Sequence, residues 1–252
     1  MGSAIMQEIA SRPNLHLTGV CVRQDSLESA RSRLSAAGMN GEVQLASNPA
    51  DILERCDVAI DFSLPEATAA VVAAIAAAGK PLVCGVTGLN DATLTAIRQA
   101  STRVPLLYDR NMSIGIAVME QLIRKAASTL GAEFAASVSE THHVHKADAP
   151  SGTALKLGEA LAQSRGQDFR SVYRFDPDGF LTEAPEGEIV ITAIRQGENP
   201  GEHTVRFVNA DESLELTHKV TSRRVFASGA VAAATWLVGK PNGLYSVGDI
   251  AA

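Results

Sequence analysis

The sequence predicts an α/β chain of two domains. Three observations carry this: short apolar runs alternate with helical stretches up to about residue 112, the apolar period changes to two after residue 134, and an Ala-rich helix closes the chain. The boundaries expected are 1–112 with 223–252 for the first domain and 113–222 for the second.

In the first domain, Leu17–Val22, Asp57–Phe62, Pro81–Gly85 and Val104–Tyr108 are short and partly β-branched. Such runs read as strands buried on both faces. Helices are expected over Ser26–Ala36, Pro65–Gly79 and Asp91–Ala100. Pro65 suits a first helical turn and Gly79 the position just beyond a last one. Strand–helix alternation at this spacing implies right-handed crossovers and a parallel, Rossmann-like sheet, with ligands bound beyond the C-terminal strand ends.

Such a fold normally opens with a strand and a Gly-rich turn that presents a helix N-terminus to a pyrophosphate. Here a helical pattern starts at once, Met1-Gly2-Ser3-Ala4-Ile5-Met6-Gln7-Glu8-Ile9-Ala10, so the first strand is expected to be missing. Met1 and Gly2 are the remaining candidates for the phosphate turn, and a misassigned start is the other reading. Arg23, after the Leu17 strand, stands where an adenosine ribose would lie and leans toward a 2′-phosphate, hence NADPH over NADH. An exposed loop arginine explains it equally well. Gly85-Val86-Thr87-Gly88 and Asn111-Met112-Ser113-Ile114-Gly115 pair glycine with small polar residues at strand ends, which makes them candidates for cofactor or substrate contact, with Gly85, Thr87, Asn111 and Met112 assigned to the cofactor.

A helix is expected over Ile114–Leu130, through Ile116, Met119, Ile123 and Ala127. Thereafter Ala135–Glu140, Glu188–Ile194, His203–Val208 and Ser213–Val220 alternate apolar with polar, as half-exposed strands of an α+β domain with a mixed, largely antiparallel open sheet do. An open sheet of this kind invites a symmetric partner. Arg165–Gly187, rich in Gly, Pro, Asp and Arg, reads as a long mobile loop. The helix over Arg223–Val238 is expected to return to the first domain, so that the chain crosses twice and hinge closure becomes available.

Composition excludes several classes. With 22 Lys+Arg against 28 Asp+Glu the formal charge is −6, and no basic or aromatic-rich run offers a nucleic-acid footprint. Cys21, Cys56 and Cys84 are an odd number in apolar contexts and read as small buried hydrophobes in a reducing compartment. Ala67–Ala78 is far shorter than the roughly 20 residues of a membrane helix. No secretory pattern opens the chain, so a cytoplasmic enzyme is expected.

The chemistry concentrates in Glu140-Thr141-His142-His143-Val144-His145-Lys146-Ala147-Asp148-Ala149-Pro150-Ser151-Gly152-Thr153-Ala154. Three imidazoles and an ammonium precede a Pro-Ser-Gly-Thr turn that opens a helix, which sets proton donors beside an anion site formed by the amides of Gly152 and Thr153. A zinc site is disfavoured, because His143 and His145 share a face but find no obvious partner, and no metal is expected. A serine hydrolase is excluded, since Ser151 lacks the Gly-x-Ser-x-Gly elbow; its hydroxyl suits a helix cap. For a single histidine, a satisfied surface or core group would be the better reading. Two adjacent histidines with Lys146 before a helix N-terminus point instead to carboxylate binding and proton delivery.

The motif Glu140-x-His142-His143-x-x-Lys146-x-Asp148-Ala-Pro150-Ser151-Gly152-Thr153-Ala154 resembles the signature of the 4-hydroxy-tetrahydrodipicolinate (dihydrodipicolinate) reductases. The likeness runs through Asp61-Phe62-Ser63-x-Pro65-Glu66, Gly85-x-Thr87-Gly88, Asn111-Met112-Ser113-x-Gly115, Gly201-Glu202-His203-Thr204 and Thr217-His218-Lys219-x-x-Ser222-Arg223, nearly the whole chain. It implies a homotetrameric, cytoplasmic reductase of the lysine and diaminopimelate pathway that uses NADH or NADPH. By motif position, His142 would protonate the ring carbon next to the one that receives hydride, and Lys146 would assist as proton donor and carboxylate partner. His143, Ser151, Gly152 and Thr153 would hold the substrate carboxylates, with Arg223 a weaker candidate for the substrate cleft.

Three departures stand out. The family's Gly-x-x-Gly-Arg-Met-Gly turn survives only as Met1-Gly2; its Gly-Thr-Thr-Gly is Gly85-Val86-Thr87-Gly88; and Val22 precedes Arg23 where NADH-using members often carry an acidic group. Loss of a central strand would expose its neighbours and remove the pyrophosphate cradle. The competing expectation is therefore a truncated reductase-like protein that binds substrate or partner chains without cofactor.

Overall fold

In the computed structural model, the described residues are 1–39, 43–179, 181 and 184–251. They form two compact units, Met1–Ser113 with Arg224–Ile250, and Ile114–Arg223.

The first unit contains α1 (Gly2–Ala10), β1 (Gly19–Cys21), α2 (Leu27–Ala36), β2 (Gln44–Ala46), α3 (Ala50–Leu53), β3 (Ala59–Asp61), α4 (Pro65–Ala77), β4 (Leu82–Cys84), α5 (Asp91–Ser101) and β5 (Pro105–Tyr108). The second holds α6 (Ile114–Leu130), β6 (Ala135–His142), α7 (Gly152–Ser164), α8 (Phe169–Val172), β7 (Tyr173–Phe175), β8 (Ile189–Arg195), β9 (Glu202–Val208) and β10 (Ser213–Lys219). The first unit is then completed by α9 (Arg224–Leu237) and β11 (Gly243–Tyr245).

Local chemistry sets the helix ends. Pro65 opens α4, whose chain turns at Gly79 with φ of 65°, a conformation glycine adopts without a Cβ penalty. At α5, the Asn90 side chain accepts the Thr93 amide at 2.9 Å.

The first unit has the parallel pairings expected, in two ladders: β1 with β2, and the order β11-β5-β4-β3. Among the described residues no ladder joins β1 to β3. This corrects the expectation that all four predicted strands are buried on both faces. β4 is wholly buried, whereas β1 and β3 are mostly half-buried and Cys21 is exposed. The inner pair is covered by α4 and α5 through Val72, Ile75 and Ile97, while among the described residues β3 ends its ladder and β1 has a single partner, β2. Only Cys84 of the three cysteines is fully buried, and burial pushes its thiol up to about 12. Three short elements, β2, α3 and β11, were not expected from sequence; at three or four residues each they are too brief to display a period.

The second unit packs α6 and α7 on one face of a five-stranded sheet of order β10-β9-β6-β8-β7. Ile116, Met119 and Ile123 of α6 and Leu157 and Leu161 of α7 meet Val138, Ile189, Ile191, Val205 and Phe207. The sheet is mixed as predicted, but evenly so rather than largely antiparallel: β10–β9 and β9–β6 are antiparallel, β6–β8 and β8–β7 parallel. The expected loop over Arg165–Gly187 is in part regular, since α8 and β7 lie within it and β7 pairs with β8. Phe169 and Tyr173 anchor it, with ring centroids 5.1 Å apart against the sheet core. Residues 180, 182 and 183 of that stretch, and 252 at the chain end, lie outside the described residues. No helix of the described residues is long and apolar enough to cross a membrane.

Candidate active site

The period of two along β6 decides which side chains meet. Ala136, Val138, Glu140 and His142 are buried on the helix-covered face, while Ser137, Ser139 and Thr141 alternate to the other. On β9 the same alternation buries His203, Val205 and Phe207. Register then sets Glu140 opposite His203 and His142 beside Arg195 of β8.

Glu140 is the centre of this cluster and is 1% exposed. Its Oε1 accepts the Ser151 amide at 2.8 Å and Arg195 Nη2 at 3.2 Å. Its Oε2 lies 3.1 Å from His142 Nδ1, close but not aligned as a hydrogen bond, and 3.7 Å from His203 Nε2. Burial opposes ionisation of Glu140, yet the contacts from His142 and Ser151 outweigh it and hold the pKa at about 2. His203, 3% exposed, is driven the other way: burial and then the neighbouring His142 lower it to about 3, so it is neutral at pH 7. The His142 and His203 rings meet edge to face at 5.1 Å.

These shifts predict how the second unit responds to acid. The unfolded chain binds a proton at His203 near its ordinary 6.5, the folded chain only near 3; Glu140 behaves alike between 4.5 and about 2. In both windows the unfolded state carries more protons, so stability falls as pH falls. Urea midpoints should therefore decline from about pH 6.5 downward and more steeply below about pH 4.5. In His203→Asn the decline between those values should flatten, and an unchanged slope there would contradict the assignment.

After His142 the strand ends and the chain turns, with the Lys146 amide bonded to the His143 carbonyl at 3.1 Å. His143 and His145 keep their rings 6.0 Å apart, and the exposed His145 pairs with Glu198 at 3.2 Å. The groups that join His142 are thus Glu140 and His203 rather than the other two histidines. Lys146 Nζ is 2.7 Å from Asp148 Oδ1. Burial disfavours the charged Asp148, but the Lys146 ammonium prevails and lowers its pKa. Arg195 also donates to the Asp148 carbonyl. Ser151 caps α7: its Oγ accepts the Ala154 amide at 3.1 Å and lies 3.3 Å from His203 Nε2. Gly152 and Thr153 open the helix, so His142, Lys146, Ser151, Gly152 and Thr153 belong to one strand end and one helix start.

Glu140, His142 and His203 place ligand atoms within 4.8 Å of one another, a grouping with the donor set for a metal ion. The Arg195 guanidinium on the same carboxylate opposes a second cation, and Oε1 of that carboxylate is already taken by Arg195 and the Ser151 amide. A cavity of about 640 Å³ elsewhere on the sheet, lined by Ser137, Ser139, Gly179 and Thr192, shares Arg195 with the cluster but none of the predicted site residues.

In the first unit, the loops after β3, β4 and β5 leave one edge of the parallel ladder. Gly85 follows β4, donating its amide to the Asp61 carbonyl at 2.9 Å; a Cβ there would stand 2.3 Å from the Phe62 ring. Thr87 is exposed, and Gly88 has φ of 73°. Asn111 caps its own turn by accepting the Ser113 amide at 2.8 Å, and Met112 is buried. Asp61 Oδ2 is buried without a hydrogen-bond partner, and burial raises the carboxyl pKa. An unpaired acceptor and a Cβ-free turn on the C-terminal edge fit the hydroxyls or amide of a nicotinamide nucleotide. Arg23 lies in the exposed loop after β1, 3.7 Å from Asp25, and Met1 is exposed ahead of Gly2 at the start of α1.

Sequence reasoning assigned no role to Glu140, Arg195 or His203. Glu140 and His203 stood within recognisable motifs, but Arg195 is 55 residues from Glu140 and only strand register joins them.

Comparison with known proteins covers both halves of the chain. Residues 1–112 match the family model described as dihydrodipicolinate reductase, N-terminus, and residues 115–250 the model for the C-terminus. Relatives named 4-hydroxy-tetrahydrodipicolinate reductase are 40% identical in Sulfurimonas denitrificans, over 99% of this chain and 94% of that protein, and 38% identical in Halorhodospira halophila, over the same shares. Among solved structures, a dipicolinate-bound dihydrodipicolinate reductase from Paenisporosarcina sp. TG-14 shares the fold with a TM-score of 0.74 at 21% identity, covering 99% of this chain and 94% of that one. The chain belongs to the dihydrodipicolinate reductase family, pyridine-nucleotide-dependent oxidoreductases of lysine and diaminopimelate biosynthesis.

Proposed function

We propose that His142 is the proton donor in reduction of 4-hydroxy-tetrahydrodipicolinate to tetrahydrodipicolinate, and that the α7 N-terminus holds the substrate carboxylates. The observation that carries this reading is the placement of His142, buried on Glu140, at the end of the strand whose following turn delivers Ser151 to the start of α7. Bound NADPH or NADH supplies the hydride. The 4-hydroxyl leaves as water with a proton from the adjacent ring carbon, forming a ring C=C bond. The chain supplies position, charge and one proton: as C4 receives hydride, His142 protonates that adjacent carbon. His143, Ser151, Gly152 and Thr153 bind carboxylate oxygens, and Lys146 exchanges Asp148 for a substrate carboxylate. Arg223 is a further candidate for carboxylate contact. Matches over both halves favour the reductase over a cofactor-free binding protein.

Met1, Gly2, Arg23, Gly85, Thr87, Asn111 and Met112 are the proposed cofactor contacts, in a nucleotide domain of residues 1–112 and 223–252. Residues 113–222 form the substrate and tetramer domain, and the assembly is a cytoplasmic homotetramer. The activity test is oxidation of NADPH or NADH in the presence of freshly formed substrate, followed at the nicotinamide absorbance band. Tight cofactor binding with no oxidation would sink the reading. Direct titration should show NADPH binding more tightly than NADH, and Arg23→Ala should erase about tenfold of that preference, the worth of one charge-assisted hydrogen bond. Stronger NADH binding in the unaltered protein would reverse the assignment of Arg23.

A further inference from the structure

Glu140 touches both parts of the proposed site, yet the reaction as described gives it no task. Its Oε2 meets His142 Nδ1 at 3.1 Å; its Oε1 takes the Ser151 amide at 2.8 Å and Arg195 at 3.2 Å. Through Arg195 the contact continues to the Asp148 carbonyl, beside the side chain that holds Lys146.

An ionised carboxylate only accepts hydrogen bonds. At 3.1 Å two facing lone pairs would repel, so the carboxylate favours a proton on Nδ1 even without an aligned hydrogen bond, and in the neutral ring that leaves Nε2 bare. Nε2 faces Gly201, where a Cβ would stand 3.1 Å away and the backbone has φ of 148°. Glycine there keeps the main chain close to Nε2 with no side chain over it.

We propose that Glu140 is a positioning residue that fixes His142 with a proton on Nδ1, makes Nε2 the atom that delivers the proton, and sets the α7 N-terminus by the same carboxylate. This rests on the reading of His142 as the acid. The charged and titratable groups around the ring are Glu140 on β6, Arg195 on β8, His203 on β9, His218 opposite it on β10, and Lys146 and Asp148 in the turn. Only the Glu140 carboxylate approaches Nδ1 as an acceptor among the contacts above.

Two measurements test it. In Glu140→Gln, loss of the negative charge disfavours the protonated imidazole. The alkaline limb of kcat/KM should move to lower pH, with kcat at pH 7 reduced about 10- to 100-fold, part of the roughly 10²–10⁴ that a general acid contributes. Glu140→Asp should restore the position of the limb, and NADPH affinity should not change in either variant. An unmoved limb in a folded Glu140→Gln protein would overturn the proposal. The second measurement needs no variant: nitrogen NMR of ¹⁵N-histidine-labelled protein should show neutral His142 protonated on Nδ1, and the Nε2–H tautomer would overturn it. Activity lost on exhaustive dialysis against a chelator and restored by Zn²⁺ would also overturn it, in favour of a metal held by Glu140, His142 and His203. If His142→Gln keeps full turnover, the acid reading itself fails; if it loses turnover while Glu140→Gln keeps the unaltered pH profile, only this inference does.

Discussion

His142→Gln is expected to lower kcat by about 10²–10⁴-fold, the usual contribution of a positioned general acid, or about 3–5 kcal/mol of barrier. Glutamine preserves much of the size and polarity of the side chain while removing the titrating ring, so the protein should fold and bind NADPH with unchanged affinity. The effect should fall on kcat more than on KM, because proton delivery is realised in the transition state, whereas carboxylate binding by the α7 start is uniform. Steady-state kinetics paired with NADPH titration separates the two. Full turnover would end the assignment, and a loss confined to cofactor affinity would place His142 elsewhere. Lys146→Ala should differ in kind, raising KM as well as lowering kcat, since it removes a carboxylate partner.

A methyl at Gly229 should produce the largest stability loss of a glycine-to-alanine change at any described glycine. A Cβ built there stands 1.7 Å from the Met112 carbonyl oxygen and 2.9 Å from its carbon. Both are backbone atoms, so no rotamer change relieves the clash; α9 or the loop after β5 must move. Around it Ala227, Ala230, Val231 and Ala233 are almost fully buried, which leaves the helix little room. Gly229→Ala should cost about 3 kcal/mol or more, at the upper end for overpacking, and lower the thermal midpoint by about 2–4 °C per kcal/mol. The same shift displaces Asn111 and Met112, so cofactor affinity should fall while the isolated imidazole signals of His142 and His203 stay in place. A midpoint within a degree of the unaltered protein would show that the backbones separate freely.

Gly229 also illustrates what sequence patterns conceal. It sits in an Ala-rich helical stretch where glycine only weakens the helix, and nothing local indicates the carbonyl above it. The fates of the cysteines are similar: all three stand in apolar runs, but Cys21 is exposed at the end of a strand with one described partner, β2. Regular elements long enough to show a period were legible, as the extent of α6, Ile114–Leu130, demonstrates. Elements of three or four residues were not, since β2, α3 and β11 are defined by their partners rather than by their own pattern.

The candidate site divides along the same line. The residues from His142 to Thr153 declare themselves in order, because their chemistry is local: a strand end, a turn, and a Ser-capped helix start need only neighbours in the chain. Alternation also tells that Glu140 and His142 share a face. What alternation cannot tell is which side chains arrive opposite them. Arg195 and His203 come from strands 55 and 63 residues beyond Glu140, and a one-residue slip of either would turn them to the other face. Register is settled by the packing of the whole sheet against α6 and α7, not by any stretch of β6. The type of chemistry is therefore written along the chain, and the charge environment that tunes it exists only once the sheet has closed on its core.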